Sequence, residues 1–393
     1  MNIELKSKIL NDKYTEYVYK TFDIQNQEET QTTIPCNLNQ IDKFDWNIGV
    51  VYGNSGSGKT TILKSLGKLS DIKFNKDKPL ISNFDWLEPS EASRLLSGIG
   101  LSSVPSWLRP FRLLSNGEQY RAELAYKIGK AKDGDVILID EYTSVVDRDV
   151  AKAMSYALQK YIRKHNKKIV LSSCHYDIME WLMPDWTYSP QKGGALERGD
   201  CRRRNRPNIK LQVSRVEHDT WNIFKNHHYL TEEVNKAGKF FLFTWNDKPV
   251  AMNVVMPMPS GYFENGVRAS RLVVLPDFQG LGLGIKCSEF IAGIYRNANY
   301  RYFTKTVHPA LGLQRENSDD WKATAKNGKL QQQENHNNHL MQSWSIKSRP
   351  SFCHEYIGKS ISGYDDLLLP TAELRYEKNK LVPIEHSFWT FEK

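Results

Sequence analysis

The sequence lacks the features that mark secreted and membrane proteins. Its five cysteines are odd in number and form no C-x-x-C pair, which argues against a disulfide framework and against a zinc site. No apolar run approaches the ~18–20 residues of a membrane span, and the mean hydropathy is −0.57. No signal peptide is visible. We therefore expect a protein of the reducing cytoplasm with no membrane segment.

The chain has enough length and apolar content for more than one domain. At 393 residues, 40% of them hydrophobic and 11% aromatic, two or three domains and two cores are expected. No internal repeat is evident, and no heptad run separates the motifs described below.

A glycine-rich run lies between an apolar strand pattern at 48–52 and a helical pattern at 60–66. It fits G-x-x-x-x-G-K-[ST], in which backbone N–H groups surround phosphates at a helix N-terminus. Lys59 is expected to reach the β/γ oxygens and the Thr60 hydroxyl to hold Mg²⁺. The expected nucleotide-binding residues are Gly53, Asn54, Ser55, Gly56, Ser57, Gly58, Lys59, Thr60 and Thr61.

A second buried strand pattern at 136–139 ends in two carboxylates. Beside a phosphate loop, Asp140 is placed to hold the Mg²⁺ shell and Glu141 to polarise the attacking water. His175 lies just past the end of a third strand pattern at 168–173. Alternatively, the two carboxylates only mark the point where a core strand reaches solvent. The alternative for His175 is a hydrogen-bonded residue without a catalytic role.

Leu114-Ser-Asn-Gly-Glu118 opens a helical pattern that extends to Lys130. Ser115 and the Gly117 amide therefore present hydrogen-bond donors at the positive end of a helix. We expect both residues to contact phosphate.

These ordered motifs resemble those of the ATP-binding-cassette (ABC) ATPases over roughly residues 1–190. The resemblance implies a D-loop at 144–147, an H-switch at His175 and a head-to-tail homodimer with two ATPs at its interface. Asn116 and Glu118 replace the usual glycine and glutamine of the signature, and no glutamine lies between Thr60 and Leu114 to serve as the Q-loop ligand. ATP binding is expected, whereas the rate of hydrolysis is left open.

A different pattern occupies the second half of the chain. It predicts a helix over 217–237, strands over 239–245, 249–256 and 270–275, a turn at Gln279-Gly-Leu-Gly-Leu-Gly284 that opens a helix to 294, and a strand over 300–306. A dinucleotide fold would place its glycines early in a βαβ unit, whereas three strands precede this turn. The Q-x-x-G-x-G pattern resembles motif A of the GNAT acyltransferases. That resemblance implies an acyl-CoA pyrophosphate cradle formed by Gln279, Gly280, Gly282 and Gly284.

Acyl transfer to an amine needs a base for the amine and an acid for the thiolate. His308 follows the last strand, and Tyr356 with His354 lies further along the chain. We take His308 and Tyr356 as catalytic candidates beside Glu141 and His175; for each acyltransferase candidate a structural role is the alternative.

The basic charge of the chain is concentrated in its second half. Residues 1–200 hold 27 Lys+Arg against 26 Asp+Glu, whereas residues 201–350 hold 22 against 12. Arg202, Arg203, Arg204 and Arg206 fall in the segment that joins the two halves. The surplus favours a nucleic-acid partner over a solvated basic face combined with a CoA pocket.

We therefore predict an α/β chain with a P-loop ABC ATPase domain (1–190), a basic linker (191–212) and an α+β GNAT-like domain with a C-terminal extension (213–393). The arrangement also resembles phage-associated ABC–GNAT fusions whose acyltransferase half is similar to Mom-type DNA-modification enzymes, which would act in the host cytoplasm. The expected function is ATP-dependent acyl transfer to a nucleic-acid base amine, in DNA rather than RNA, with ATP, Mg²⁺ and acetyl-CoA or another acyl-CoA. Two alternatives are acetylation of tRNA, aminoacyl-tRNA or a protein lysine, and a non-enzymatic DNA clamp whose GNAT domain only binds.

Overall fold

The computed structural model describes residues 2–192, 194–199, 209–229, 232–329 and 351–368, with short strands at 376–377, 380–381 and 387–390. Contacts divide the chain into two compact units: Met1–Lys73 with Tyr126–Asn205, and Phe74–Ala125 with Arg206–Lys393. The linear domain boundaries given above remain a prediction. Arg202, Arg203, Arg204 and Arg206 of the basic linker lie outside the described residues.

The helices and strands follow one another along the chain with these bounds. The helices are α1 Lys13–Phe22, α2 Lys59–Leu66, α3 Pro89–Gly98, α4 Val104–Leu108, α5 Asn116–Lys130, α6 Arg148–Lys164, α7 Ile178–Leu182, α8 Leu283–Asn297 and α9 Pro309–Glu316. The strands are β1 Asn2–Lys8, β2 Glu29–Pro35, β3 Ile48–Tyr52, β4 Val136–Ile139, β5 Lys168–Ser173, β6 Trp186–Tyr188, β7 Leu196–Arg198, β8 Lys210–Val216, β9 Lys239–Trp245, β10 Lys248–Pro257, β11 Gly266–Val274, β12 Arg301–Thr306, β13 Trp321–Ala323, β14 Phe352–Tyr356, β15 Tyr376–Glu377, β16 Lys380–Leu381 and β17 Ser387–Thr390.

The first unit is built on a five-stranded sheet of order β4-β5-β3-β6-β7, in which only β7 runs antiparallel to its neighbour. All five residues of β3 are buried, as expected for a strand covered on both faces of a parallel sheet. Gly49 on β3 is required by packing, because a Cβ there would lie 2.1 Å from the buried ring of Trp186 on β6. Parallel strands end at one edge, so β3, β4 and β5 bring their following loops together.

The second unit contains an eight-stranded mixed sheet of order β13-β14-β12-β11-β10-β9-β8-β17. Strands β9 and β10 form a hairpin whose two turn residues, Asn246 and Asp247, both have positive φ, the geometry that matches strand twist. Among the described pairings of this sheet, β11 and β12 alone are parallel. Helix α8 joins these two strands, as a parallel connection requires.

The predicted fold class is confirmed: one unit has a mainly parallel α/β sheet behind a P-loop, and the other has a mixed α+β sheet. Strands β3, β5 and β9 have the predicted bounds. The helix predicted over 217–237 is wrong, because only short 3₁₀ turns occur there, at His218–Ile223 and Lys225–His227. Trp221 and Phe224 are both buried, and their spacing of three residues suits a 3₁₀ turn as well as an α-helix.

Candidate functional site

The first candidate site is the loop between β3 and α2. Gly53, Gly56 and Gly58 have φ of 154°, 77° and 87°, which places them in conformations that glycine alone adopts readily. Lys59 Nζ donates to the carbonyl oxygens of Gly53 (2.8 Å) and Asn54 (2.7 Å) and is thereby held against the loop. The Ser57 hydroxyl is buried with no hydrogen-bond partner, as expected for a group that awaits a polar ligand.

The residues at the ends of β3 and β4 meet at this loop. Thr60 Oγ1 donates to Asp140 Oδ2 over 2.8 Å, so the predicted Mg²⁺ ligands are adjacent, and a hydroxyl with a carboxylate is a donor set that suits this hard cation. Glu141 is exposed and has φ of 51°, a conformation that a glutamate adopts only under local constraint. A cavity of about 650 Å³ is lined by both carboxylates, by Thr61 and by the loop.

Two residues of this site escaped the sequence analysis. Ser172 Oγ on β5 donates to Asp140 and accepts the Glu141 amide, which orients both carboxylate positions. Gln191 Oε1 accepts the Asn54 amide at 3.1 Å and also lines the cavity. Neither belongs to a contiguous motif. His175 is half-buried two residues past β5 and is not among the cavity-lining residues, so its role stays a prediction.

The signature motif lies in the second unit, at the start of α5. Ser115 Oγ donates to Glu118 Oε2 and accepts the Glu118 amide, and the Ser115 amide also donates to Glu118 Oε2, an arrangement that caps the helix. Glu118 is buried and accepts a further hydrogen bond from Ser106. Glutamate at this position therefore holds the helix end, while Ser115 is exposed and Gly117 half-buried. Their contact with phosphate remains a prediction.

The second candidate site is a cavity of about 240 Å³ where β11 and β12 part. The two strands pair only from Gly266/Arg301 to Arg268/Phe303, and the segments that follow, 269–274 and 304–306, line the cavity. The β10–β11 register skips Ser270, so a bulge re-aims β11 at this point. The diverging parallel strands leave a slot between them.

The turn that opens α8 lies at the mouth of this slot. Gly280 and Gly282 have φ of 90° and 82°, and a Cβ on Gly282 would meet nothing within 4 Å, so the space in front of the turn is open. Gly284 lies against β11, because a Cβ there would be 3.3 Å from the Val274 side chain. Left-handed glycines followed by a helix N-terminus form an anion-binding concavity, and this turn fits a pyrophosphate.

Gln279, the first residue of the predicted cradle, has its side chain engaged with protein. Its Oε1 accepts the Ser102 amide at 2.6 Å, and its Nε2 donates to the Val274 carbonyl at 2.9 Å. It lines the cavity and braces the turn.

Three histidines line the cavity: His227, His228 and His308. Burial lowers the pKa of each, in the case of His228 to about 4, so all three are neutral at pH 7. The structure thus places the predicted candidate His308 beside the turn. Sequence analysis gave His227 and His228 no catalytic role.

Buried polar atoms without a hydrogen-bond partner are concentrated in the described part of the cavity lining. They include Ser103 Oγ, His227 Nδ1, His308 Nδ1 and Arg315 Nε. The lining also includes Arg271 and Lys305, and among the residues that the structure describes it contains no aspartate or glutamate. Buried polar atoms are almost always satisfied, so this concentration of orphans marks a site for a polar ligand, and the cations favour a negative one.

Tyr356 does not line this cavity. Its hydroxyl donates to the Lys359 carbonyl at 3.1 Å, its ring packs against Trp321, and burial raises its pKa to about 12. His354, on the same strand, bonds Glu316 over 2.7 Å. The structure brings neither residue to the turn, and the catalytic role of Tyr356 stays a prediction.

No helix among the described residues is long and apolar enough to cross a membrane.

Comparison with known proteins detects similarity at the level of solved structures only. No protein-family model and no curated protein matches the sequence. One similar structure is the ribosomal-protein-S18-alanine N-acetyltransferase of Escherichia coli, with 13% identity, a TM-score of 0.29, and 39% of this chain and 97% of that chain covered. Another is an ATP-binding cassette in a dimeric, post-hydrolysis state bound to ADP and Pi, with 16% identity, a TM-score of 0.33, and 44% and 94% covered.

Proposed function

We propose that the chain is an ATP-dependent acyl-CoA transferase that acylates an amine of a nucleic-acid base. The observation that carries the proposal is the cavity beside the glycine turn, with its orphaned polar atoms, its neutral histidines and no carboxylate among its described lining residues.

The ATPase half of the proposal rests on the loop after β3. Lys59 and the loop amides would hold the triphosphate, and Thr60 with Asp140 would hold Mg²⁺, which supplies charge neutralisation during phosphoryl transfer. Glu141 would orient the attacking water. Ser115 and Gly117 would complete this site in a partner copy, so two ATPs would join a homodimer.

The transferase half uses the second cavity. Acetyl-CoA would supply a thioester carbonyl, with its pyrophosphate at Gly280, Gly282 and the start of α8. His308, neutral at pH 7, would take the proton as the amine nitrogen bonds to the carbonyl carbon; the carbon–sulfur bond then breaks and the thiolate is protonated. The bulge at Ser270 takes this residue out of the β10–β11 register, and a backbone N–H freed in this way would be of the kind that stabilises a developing oxyanion.

Cavity charge favours a base amine over a protein lysine as acceptor. A lysine arrives as a cation and would meet the like charges of Arg271, Lys305 and Arg315, and no described residue of the lining is an aspartate or glutamate. A base amine is neutral and belongs to a polyanion, which matches the surplus of 22 Lys+Arg over 12 Asp+Glu in residues 201–350. Inside a duplex the base would have to be flipped out. Phage origin and similarity to Mom-type enzymes remain part of the proposal and rest on the sequence pattern alone.

Nucleoside mass spectrometry tests the substrate directly. DNA and RNA from cells with and without the protein are digested, and an added acyl mass on a DNA nucleoside is expected only with the wild type. His308→Ala protein serves as the catalytic control. An acyl mass on RNA nucleosides would show that RNA is the acceptor. An acyl mass on a protein lysine, with all nucleosides unmodified, would show that a protein is the acceptor. The absence of acylation with intact DNA binding would favour the clamp.

A further inference from the structure

The segment that carries the signature motif is also a wall of the acyl-CoA cavity. Residues 74–125 belong to the same compact unit as the eight-stranded sheet, and Ser102, Ser103 and Val104 line the cavity. Ser103 is buried, and its hydroxyl is one of the polar atoms there without a hydrogen-bond partner. No local sequence pattern links this segment to the turn at Gln279, which follows more than 170 residues later.

Arg121 of α5 is fully buried and joins the signature helix to the turn before the glycines. Its guanidinium donates to the carbonyl oxygens of Pro276 and of Gly100, and pairs with Asp277 over 3.2 Å. Its Nε donates to the Gly117 carbonyl of the signature itself at 3.0 Å. A planar guanidinium with five donors holds several acceptors at fixed angles, which a lysine cannot do.

Hydrogen bonds continue from this arginine in both directions. On one side, the turn is held again through Gln279, whose side chain bridges Ser102 and Val274. On the other side, the buried carboxylate of Glu118 ties Ser115 to Ser106 on α4. The phosphate-facing end of the signature and the acyl-CoA turn therefore belong to one hydrogen-bonded body.

We propose that Arg121 is a positioning residue for the acyl-CoA turn and that it makes acyl-CoA affinity depend on whether nucleotide occupies the signature. The proposal rests on the proposed function, because it needs both ligands. Phosphate at Ser115 and Gly117 would draw the α5 N-terminus into one position, and Arg121 would transmit that position to Pro276 and Asp277. By linkage, acetyl-CoA then favours the nucleotide-bound state by the same factor.

Calorimetric titration of the full-length protein with acetyl-CoA measures both parts of this proposal. With a non-hydrolysable ATP analogue and Mg²⁺, the wild type should bind acetyl-CoA at least about fivefold more tightly than without nucleotide. Arg121→Met should weaken acetyl-CoA binding by about tenfold or more and reduce the nucleotide effect to none, since bonds to a charged group are lost. Asp277→Asn, which removes only the ion pair of a half-exposed carboxylate, provides a milder variant should Arg121→Met not fold.

Arg163→Met is the matched control. Arg163 donates to the Met183 carbonyl and pairs with Asp185 in the first unit, so its loss removes comparable bonds away from the turn. This variant should keep the acetyl-CoA Kd of the wild type.

Equal acetyl-CoA Kd values for Arg121→Met, Asp277→Asn and wild type would overturn the positioning role. If the wild type binds acetyl-CoA with the same Kd with and without nucleotide, the coupling is overturned and the transferase proposal stands. Failure of the wild type to bind acetyl-CoA at all would overturn the transferase proposal itself.

Discussion

In the proposed ATPase, Lys59 and Glu141 would make separable contributions to nucleotide chemistry, because they lie on different elements of the first unit. Lys59 Nζ lies within the loop after β3, where phosphate charge would be greatest. Glu141 follows β4, is exposed, and is anchored through its amide to Asp140 and Ser172. Substitution of Lys59 should therefore abolish ATP binding. Substitution of Glu141 should leave ATP binding intact and remove the activation of the attacking water.

Glu141→Gln protein should accumulate as an ATP-bound dimer. The amide keeps the size of the side chain but no longer polarises water, so ATP persists at the interface. Size-exclusion chromatography with ATP and Mg²⁺ should show a dimer for this variant and a monomer for Lys59→Ala, which loses the phosphate cation. A Glu141→Gln protein that is monomeric in every nucleotide state would contradict the head-to-tail dimer.

His228 should make the second unit sensitive to acid. Burial depresses its folded-state pKa to about 4 from an ordinary value of 6.5, so the unfolded chain takes up a proton below pH 6.5 while the folded chain does not. Stability present at neutral pH is therefore lost progressively between pH 6.5 and about pH 4, by up to about 3 kcal/mol at ~1.4 kcal/mol per pH unit.

Chemical denaturation from pH 7.5 to 4.5 checks this residue. His228→Phe keeps a ring between Trp221 and Tyr229 and should flatten the pH dependence. His218→Phe, at a partly exposed histidine of the preceding 3₁₀ turn, is the control and should leave the His228 contribution in place. An unchanged pH slope for His228→Phe would show that this histidine does not titrate as described.

At the scale of the element, the turn between β11 and α8 combines left-handed glycines with open space. Gly280 and Gly282 are left-handed, Gly284 packs against Val274, and 3₁₀ residues Pro276–Phe278 connect the turn to β11. The open face of Gly282 means that a larger side chain would project into the ligand space rather than into protein.

Gly282→Glu should abolish acetyl-CoA binding without unfolding the unit, because it places a carboxylate where the pyrophosphate would lie. Gly328→Glu is the matched control: it has φ of 68°, is exposed, has nothing within 4 Å of a built Cβ, and does not line the cavity. Differential scanning fluorimetry should show an acetyl-CoA-induced rise in Tm for the wild type and the control only. Equal rises in all three would place the acyl-CoA elsewhere.

At the scale of the whole molecule, the charge distribution bears on the proposed nucleic-acid partner. The net charge of +9 arises almost entirely after residue 200, and the Arg202–Arg206 run contributes four cations. If these arginines contact phosphate, each releases counterions and contributes about −0.9 to the slope of log K against log [salt] on duplex DNA.

Changing Arg202, Arg203, Arg204 and Arg206 together to Gln should weaken DNA binding about equally for all sequences and flatten the salt slope by up to about 4 units. Fluorescence anisotropy at salt concentrations from about 50 to about 200 mM measures both the DNA affinity and the salt slope. The control replaces four exposed first-unit lysines, Lys6, Lys8, Lys13 and Lys20, and changes the net charge by the same amount. Salt-independent binding by the wild type would point to a protein or small-molecule amine as acceptor.

Local chemistry determined much of this protein from the sequence alone. A loop rich in glycine between a strand and a helix, two carboxylates after an apolar run, and a Q-x-x-G-x-G turn each have one favoured geometry, and the structure shows the expected strands and helices around them. The apolar run of β9 and the two-residue turn that follows it likewise depend on neighbouring residues only.

Long-range packing decided the rest. The cavity exists because β11 and β12 stop pairing after Arg268 and Phe303, which depends on a bulge and on the path of α8 between them. Ser103, His227, His308 and Arg315 converge there from four segments, and Tyr356 does not, although all were equally visible in the sequence. In the sequence, nothing distinguishes Arg121 from other basic residues on helices. The tertiary structure shows that it is buried between the signature and the turn at Pro276. Burial and partnership are properties of residues far apart in the chain, so no local pattern could specify them.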